Sequence, residues 1–351
     1  MITIGSALLL TALTLGVPPA EKQKIRVGHF PNVTHAQGVI GHGLSRAQLT
    51  RSQLKGQQGF FEQRLGPNVE IEWYVYNAGP SAMEALLAGS IDLTYVGPNP
   101  ALNAYIRSEG DEVRILAGAA SGGAALVVQP DGRIQKDADF KGKRVASPQL
   151  GNTQDVAARA YLKSKGLKIT QTGGDALVIP TANADQLALF QKGDLDAVWT
   201  VEPWVTRLEL EAKGKVYLEE KTLWPETQGR YITTQLVSSV EFLEEHAELA
   251  KAFVTAHVEM TDWINANAAE AKKLLNAEIQ AETTKGIAPE VLERAWGRIE
   301  ITSDPVSSSL KRCAKDAHAA GFLEKDPDLS KIYALDLLNQ VLSARGQPGV
   351  L

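Results

Sequence analysis

The sequence predicts an α/β protein of two similar lobes, and three observations carry that reading. The stretch Gly89-Ser90-Ile91-Asp92-Leu93-Thr94-Tyr95-Val96-Gly97-Pro98 has an echo in Gly193-Asp194-Leu195-Asp196-Ala197-Val198-Trp199-Thr200-Val201-Glu202-Pro203-Trp204. Aligned on the leading glycines, Asp92 matches Asp196 and Tyr95 matches Trp199. Each copy reads as a short helix closing on a C′ glycine, a tight turn, and a buried strand running into a proline loop. Next, strand patterns alternate with helical ones up to Glu241 and almost only helices follow. That order predicts mainly parallel sheets flanked by helices, with a helical C-terminal region. Lastly, 351 residues exceed one ordinary core and suit two domains.

Composition narrows the class. The chain is 44% hydrophobic and 22% charged, as soluble globular proteins are. Its net charge of −5 and lack of a long Lys/Arg run argue against nucleic acid and against a polybasic membrane patch. Residues 2–17 form an uncharged apolar run, too short for a comfortable membrane span but suited to a signal-peptide core. Val17-Pro18-Pro19-Ala20 offers small residues for a cut after Ala20, so residues 1–20 are expected to be a cleaved signal peptide, although a basic n-region is missing. Cys313 is the only cysteine. No internal disulfide is possible, and Cys313 lies too far from the N-terminus to be a lipidated cysteine. An exported, non-lipidated, disulfide-free chain fits a bacterial periplasm, with Cys313 as a small buried hydrophobe.

In order along the chain, residues 24–30 alternate apolar and polar and stop at Pro31-Asn32, a first strand entering a loop. Thr34-His35-Ala36-Gln37 has capping-box spacing, so a helix should begin there, with Gly38, Gly41 and Gly43 serving close packing or ligand approach. Residues 45–59 are polar and basic and extend this connection. Residues 69–76 are a strand by alternation and β-propensity. After the turn Asn77-Ala78-Gly79-Pro80, Ser81-Ala82-Met83-Glu84 reads as a second capping box. The strand 93–96 ends at Gly97-Pro98-Asn99-Pro100, where Asn99 as N-cap and Pro100 at N1 start the next helix.

Residues 113–117 are another strand, followed by Ser121-Gly122-Gly123. Residues 124–129 form a strand and the first crossover between lobes, closed by the turn Pro130-Asp131-Gly132. A strand follows Lys143-Arg144, and Asn152 or Thr153 caps the helix after Gly151. Residues 177–179 are a strand, and Asn183 starts the second copy's helix. Trp224-Pro225 and Gly229 mark the return crossover before a strand at 233–238. In the helical tail, Leu249, Phe253, His257, Met260 and Ile264 share one face.

The loops ending at Thr34, Ser81, Asn99 and Asn152 each follow a strand's C-terminal end and start a helix, the ligand-binding edge of open α/β sheets. Helix N-termini present unpaired N–H groups and partial positive charge, which suits an anion without a buried Lys or Arg. A single cap more often only finishes its helix; four facing one cleft would bind a sulfonate, nitrate or carboxylate. Glu202, between Trp199 and Trp204, has two readings. It receives a ligand ammonium with aromatic walls beside it, or it pairs with an arginine such as Arg207 while both indoles sit in the core. If Gly97-Asn99 and Glu202 both face the ligand, a zwitterion such as taurine fits better than nitrate.

Enzyme motifs are missing: no P-loop, G-x-S-x-G, C-x-x-C or H-E-x-x-H occurs. Two S-x-x-K matches, at Ser52 and Ser308, lack companion motifs. The histidines, at 29, 35, 42, 246, 257 and 318, show no metal-ligand grouping with Cys or Glu. His257, on an apolar helix face, reads as a satisfied core residue, whereas His35 stands at the mouth of a candidate site helix. No metal and no cofactor are expected.

These residues resemble a known family, the periplasmic substrate-binding proteins of ABC importers for aliphatic sulfonates, taurine and nitrate. The marks are Val27-Gly28-His29-Phe30-Pro31-Asn32-Val33-Thr34-His35-Ala36, Ala88-Gly89-Ser90-Ile91-Asp92, Gly97-Pro98-Asn99-Pro100 and Trp199-Thr200-Val201-Glu202-Pro203-Trp204, with residues 259–267 and Gly321-Phe322-Leu323 in the tail. The resemblance implies a two-lobed type II periplasmic-binding-protein fold that closes on its ligand and performs no chemistry. Residues 22–127 plus 226–351 would form lobe 1 and 128–225 lobe 2. It places the pocket at Asn32, Thr34, His35, Asn77, Gly79, Ser81, Gly97, Pro98, Asn99, Ser121, Gly122, Asn152, Thr153 and Glu202, to which the aromatic-wall reading of Glu202 adds Trp204. The implied partners are a small sulfonate, taurine-like or nitrate-like ligand and the transmembrane subunits of an ABC permease, with the protein a monomer. Residues 45–58 depart from the usual short linker and bear on ligand size. A thiamine-pyrimidine-synthase-like enzyme or pyrimidine-precursor binder of the same fold is the alternative, and the single cysteine argues against its cysteine-rich motif.

Overall fold

The computed structural model describes residues 22–50, 59–325 and 327–351. The expected leader over 1–20 and residues 51–58 of the polar segment lie outside them.

The first sheet begins with β1 (Gln23–His29), which pairs in parallel with β2 (Val69–Val75) and β3 (Leu93–Val96). α1 (Ala36–Thr50) and α2 (Phe60–Leu65) connect β1 to β2, α3 (Gly79–Leu87) connects β2 to β3, and α4 (Pro98–Arg107) leads to β4 (Val113–Gly122). The chain then passes through Gly123 into β5 (Ala124–Val128), which belongs to a second sheet. There β6 (Arg144–Ser147) pairs in parallel with β7 (Leu177–Pro180) and β8 (Ala197–Val201), and β5 runs antiparallel to β8 and to β9 (Lys215–Glu219). The helices of this lobe are α5 (Thr153–Ser164), α6 (Asn183–Gln191) and α7 (Trp204–Ala212).

The return crossover delivers β10 (Ile232–Ser239) to the first sheet, antiparallel to β3 and β4. The tail is α8 (Val240–Glu245), α9 (Ala247–Ala266), α10 (Ala268–Thr283), α11 (Pro289–Trp296), β11 (Ile299–Ile301), α12 (Ser307–Ala320) and α13 (Asp336–Ala344). The strand orders are β11-β4-β10-β3-β1-β2 and β7-β6-β8-β5-β9. The two-lobed α/β expectation therefore holds, but the sheets are mixed rather than mainly parallel. The cause lies in the crossovers. βα units run toward the cleft, whereas β5 and β10 arrive from the opposite lobe and run away from it. The short strands β9 and β11 carry little alternation and escape sequence reading.

Both sheets are covered on both faces, and strand periodicity does the sorting. In β5, Leu126 and Val128 join the cluster around Phe140 and Trp199, while Ala125 and Val127 join the one around Phe190 and Val198. In the first sheet, Leu93 and Tyr95 pack with Phe61 and Phe253, while Val96 faces Met83 and Leu102. The predicted face of α9 is the buried one, with Phe253, His257, Met260 and Ile264 all fully covered. The α1 glycines serve packing: a Cβ at Gly38 would lie 2.8 Å from the Tyr95 ring, and one at Gly41 2.6 Å from Phe61.

Three capping expectations fail. The 3₁₀ turn Val33–His35 precedes α1, and the Gln37 amide donates to Ala119 O and Thr261 Oγ1 instead of back to Thr34. α3 starts two residues before Ser81, whose hydroxyl donates to Ala78 O. α4 starts at Pro98 with Gly97 as N-cap, so Asn99 lies inside the first turn. In each case the backbone enters the helix early, which leaves the polar side chain past the cap position. Asn152 does cap α5, its Oδ1 accepting from Asp155 N at 2.9 Å.

Candidate functional site

Three mutually parallel strands of each lobe end at one cavity of about 30 Å³. In the first lobe its wall comes from Phe30, Asn32, Thr34 and His35 after β1, Asn77 to Gly79 after β2, and Gly97 and Pro100 after β3. In the second lobe Pro148 and Asn152 to Gln154 follow β6, Asn183 follows β7, and Val201 ends β8. Thr233 and Thr234 of β10 complete it. This volume holds about two water-sized groups, so the lobes are drawn together. Gly97 and Thr153 meet across the cleft so closely that a Cβ on Gly97 would sit 2.3 Å from Thr153 Oγ1.

The donors are neutral. Asn152 satisfies the third N–H of α5, and Thr153 and Gln154, which carry the first two, line the cavity. Asp155 fixes that turn from behind, accepting from Ser147 Oγ, Gly151 N and the fully buried Arg159. Thr153 Oγ1 is buried and has no hydrogen-bond partner. Asn183 spends its Oδ1 on Thr200 Oγ1 at 3.1 Å, which leaves its amide nitrogen to donate. α4 contributes less than its position promises, because Pro98 and Pro100 lack N–H groups. His35 Nδ1 accepts from Phe30 N at 3.3 Å, so its proton sits on Nε2. Burial, aided by His29, holds this imidazole well below its usual pKa, so it is a neutral donor at pH 7. Phe30 stacks on it with centroids 4.2 Å apart. Among the described residues lining the cavity none is Asp, Glu, Lys, Arg or Cys.

Thus Asn32, Thr34, His35, Asn77, Gly79, Gly97, Asn152 and Thr153 lie in the wall, and the other expected positions do not. Ser81 is tied to Ala78 O. Pro98 is buried in the first turn of α4, and Asn99 donates to Cys313 O at 3.3 Å. Ser121 accepts from Tyr231 N, and Gly122 O accepts from Thr233 Oγ1, so both serve the crossover strands. Trp204 bridges the lobes, its Nε1 donating to Asn32 Oδ1 at 3.3 Å, with Arg207 4.6 Å over its ring.

Glu202 is fully buried and faces away from the cavity, toward Thr206 of its own lobe and Arg298 of the other. It accepts from Thr206 N and Oγ1 at 3.1 and 2.8 Å, and Arg298 Nη1 lies 3.0 Å away. The arginine partner is Arg298, not Arg207, which pairs with Glu211. Burial raises the Glu202 pKa, and the Thr206 and Arg298 contacts oppose that. With its carboxylate engaged, the argument for a zwitterion loses its anchor. Asn183, Gln154 and the β10 threonines were missed; Asn183 follows the same strand-end rule that selected Asn152.

Two further sequence readings resolve. His257 is a satisfied core residue, bonded to Tyr95 Oη and Gly118 O, with burial lowering its pKa to about 4. Cys313 is buried beside Trp224 and Tyr231, away from the wall. The expectation of no metal-ligand grouping is overturned: His29, His42 and Glu282 converge, although His42 and Glu282 stand 240 residues apart in sequence. Folding, not spacing, assembles them.

A family model described as the NMT1-like family matches residues 18–278. The taurine-binding periplasmic protein of Escherichia coli (strain K12) is 28% identical over 189 residues. That match covers 54% of this chain and 56% of the relative, so the chain spans little more than half of its length. Among solved structures, the alkanesulfonate-binding protein SsuA from Xanthomonas axonopodis pv. citri, bound to MOPS, superposes with a TM-score of 0.68. Its identity is 22%, over 90% of this chain and 99% of that one. The periplasmic nitrate-binding protein NrtA from Synechocystis PCC 6803 gives 0.73 at 16% identity, over 92% of this chain and 89% of that one. At these identities the two likenesses show the fold. Among the described residues no helix is long and apolar enough to cross a membrane.

Proposed function

The chain belongs to the NMT1-like family, and from that premise we propose that it is the extracytoplasmic solute-binding component of an ABC importer, trapping a small sulfonate-like oxoanion between its lobes. The observation that carries the reading is the wall itself: helix N-termini and neutral donors from both lobes, with no charged side chain among the described lining residues. Such a wall stabilises negative charge through dipoles already in place.

In this reading residues 22–127 with 226–351 and residues 128–225 act as the two closing units. Ligand contacts to both shift the population toward the closed form, which docks on a membrane permease. The mature protein is periplasmic, starting after Ala20, and works as a monomer.

Calorimetry with ethanesulfonate, taurine and nitrate tests this. Ethanesulfonate should bind at least as tightly as taurine, because the taurine ammonium finds no carboxylate in the wall. Gly97→Ala should weaken ethanesulfonate about 100-fold, about 2.7 kcal/mol, by holding Thr153 away, without changing the ligand-free melting temperature. Adding Thr153→Ala should recover part of the loss. Equal affinity in wild type and Gly97→Ala would sink the cleft assignment.

A further inference from the structure

The end of β1, α1 and α10 bring together His29, His42 and Glu282. His29 Nε2 lies 3.0 Å from His42 Nδ1 and 3.2 Å from Glu282 Oε1. His42 Nδ1 is 2.9 Å from the same oxygen. The His29 side chain is 0% exposed, Glu282 1% and His42 15%. Trp73 closes the site, stacked on His42 and edge-on to His29. None of the three lines the cleft.

We propose that His29 Nε2, His42 Nδ1 and the Glu282 carboxylate form a binding site for a divalent transition metal of the zinc type. Two imidazole nitrogens and one carboxylate oxygen are the donor set that such ions take in three-ligand sites with an open fourth position. Metal–ligand bonds of about 2.0–2.1 Å in tetrahedral geometry separate the ligand atoms by about 3.3 Å. The separations here are 2.9 to 3.2 Å, so each needs to open only a few tenths of an ångström.

Two observations favour an ion over a plain hydrogen-bonded triad. With both imidazoles donating to Oε1, Glu282 Oε2 remains buried without a partner. That oxygen is placed to be the second carboxylate atom at a metal or to accept from a metal-bound water. In the same triad, His29 Nδ1 would turn a lone pair toward Phe30 O at 3.4 Å. A metal on Nε2 moves the proton to Nδ1, which then donates to that carbonyl, the orienting contact that ligating histidines generally make. One neighbour opposes binding. Arg46 Nη2 sits 3.1 Å from His42 Nε2, which becomes an N–H once Nδ1 takes the metal. Glu278 holds Arg46, but its side chain is 45% exposed and has room to turn aside. Arg46→Ala should therefore tighten metal binding.

The test uses the tag-free full chain, stripped with EDTA and titrated with Co²⁺ as the spectroscopic probe. One equivalent should produce a ligand-field absorption band that Zn²⁺ displaces. The band should vanish in His42→Gln, weaken at least tenfold in Glu282→Gln, strengthen in affinity in Arg46→Ala, and persist in His35→Ala. Far-UV circular dichroism checks each variant, and if Glu282→Gln does not fold, the partly exposed His42→Gln decides. No band in the wild type, or a band that survives His42→Gln, overturns the site. Neither outcome bears on anion binding in the cleft.

Discussion

In the first lobe Arg26 N donates to Asp92 Oδ2 at 2.7 Å, Asp92 N donates back to Arg26 O at 2.8 Å, and the Arg26 guanidinium reaches Gly89 O. In the second lobe Arg144 N donates to Asp196 Oδ2 at 2.8 Å, Asp196 N donates back to Arg144 O at 2.9 Å, and the Arg144 guanidinium reaches Gly193 O. Both glycines have positive φ, 66° and 78°. The two αβ connections are one device used twice: an aspartate clasps the neighbouring parallel strand while that strand's arginine closes the glycine turn. The match reaches Arg26 and Arg144, beyond the stretches whose sequence similarity is visible.

The copies part where their strands reach the interior and the cleft. Tyr95 ends on His257, a neutral imidazole, whereas Trp199 Nε1 donates to Glu220 at 2.8 Å. Burial pushes the Glu220 carboxyl up to about 7, with Asp316 adding to the rise and Arg312 opposing it. After the strand, Gly97 offers no side chain and lets Thr153 close against it. Glu202 instead caps the start of α7 and receives Arg298 from the other lobe. A shared connection thus becomes a cleft wall in one lobe and an interlobe tie in the other, because a missing Cβ admits a neighbour where a carboxylate demands partners.

Three experiments press on that comparison. Glu202→Ala should cost the most, about 3 kcal/mol in urea denaturation, since removing one member of a buried charged pair strands the other. Glu209 and Glu219 still contact Arg298 and limit the loss. Ligand affinity that falls while stability holds would return Glu202 to the cleft. Next is Glu220→Gln. A buried carboxyl with a raised folded pKa contributes stability that is present below the unfolded value of 4.5 and lost as pH rises through about 7. The variant should therefore gain about 3 kcal/mol over wild type at pH 8 and nothing at pH 4, with Gln Oε1 still accepting from Trp199. A gain equal at both pH values would show that packing, not ionisation, is responsible. The smallest effect belongs to the clasp. Asp92→Ala and Asp196→Ala should each cost about 1.5 kcal/mol. Asp196 should cost slightly more, because Arg133 also donates to it at 2.7 Å. Losses that differ severalfold would mean the two clasps are alike in geometry only.

Much of the fold was legible because strand alternation and C′ glycines are local signals. The strand at Leu93–Val96 and the helix starting at Asn183 fall where the pattern puts them. The cleft edge was legible too, since strand-end loops that open helices are also local. What misled was side-chain direction. Asn99, Ser81 and Glu202 sit in the right loops, yet each is claimed by a partner outside the cavity: Cys313 O, Ala78 O and Arg298. Periodicity says which loop a residue occupies and nothing about which neighbour takes its polar atoms.

By itself the sequence determined the two lobes, the αβ unit that builds each, and the strand-end loops that line the cavity, because these follow from short-range periodicity, glycine conformation and helix termini. Only the tertiary structure decided that β5 and β10, which follow the crossovers the sequence marks, run antiparallel to their neighbours and make both sheets mixed. The same holds for Glu202 pairing with Arg298, and for His29, His42 and Glu282 meeting at one point. Those outcomes depend on contacts between residues far apart in the chain, and a buried polar atom takes whichever partner the packing brings within reach.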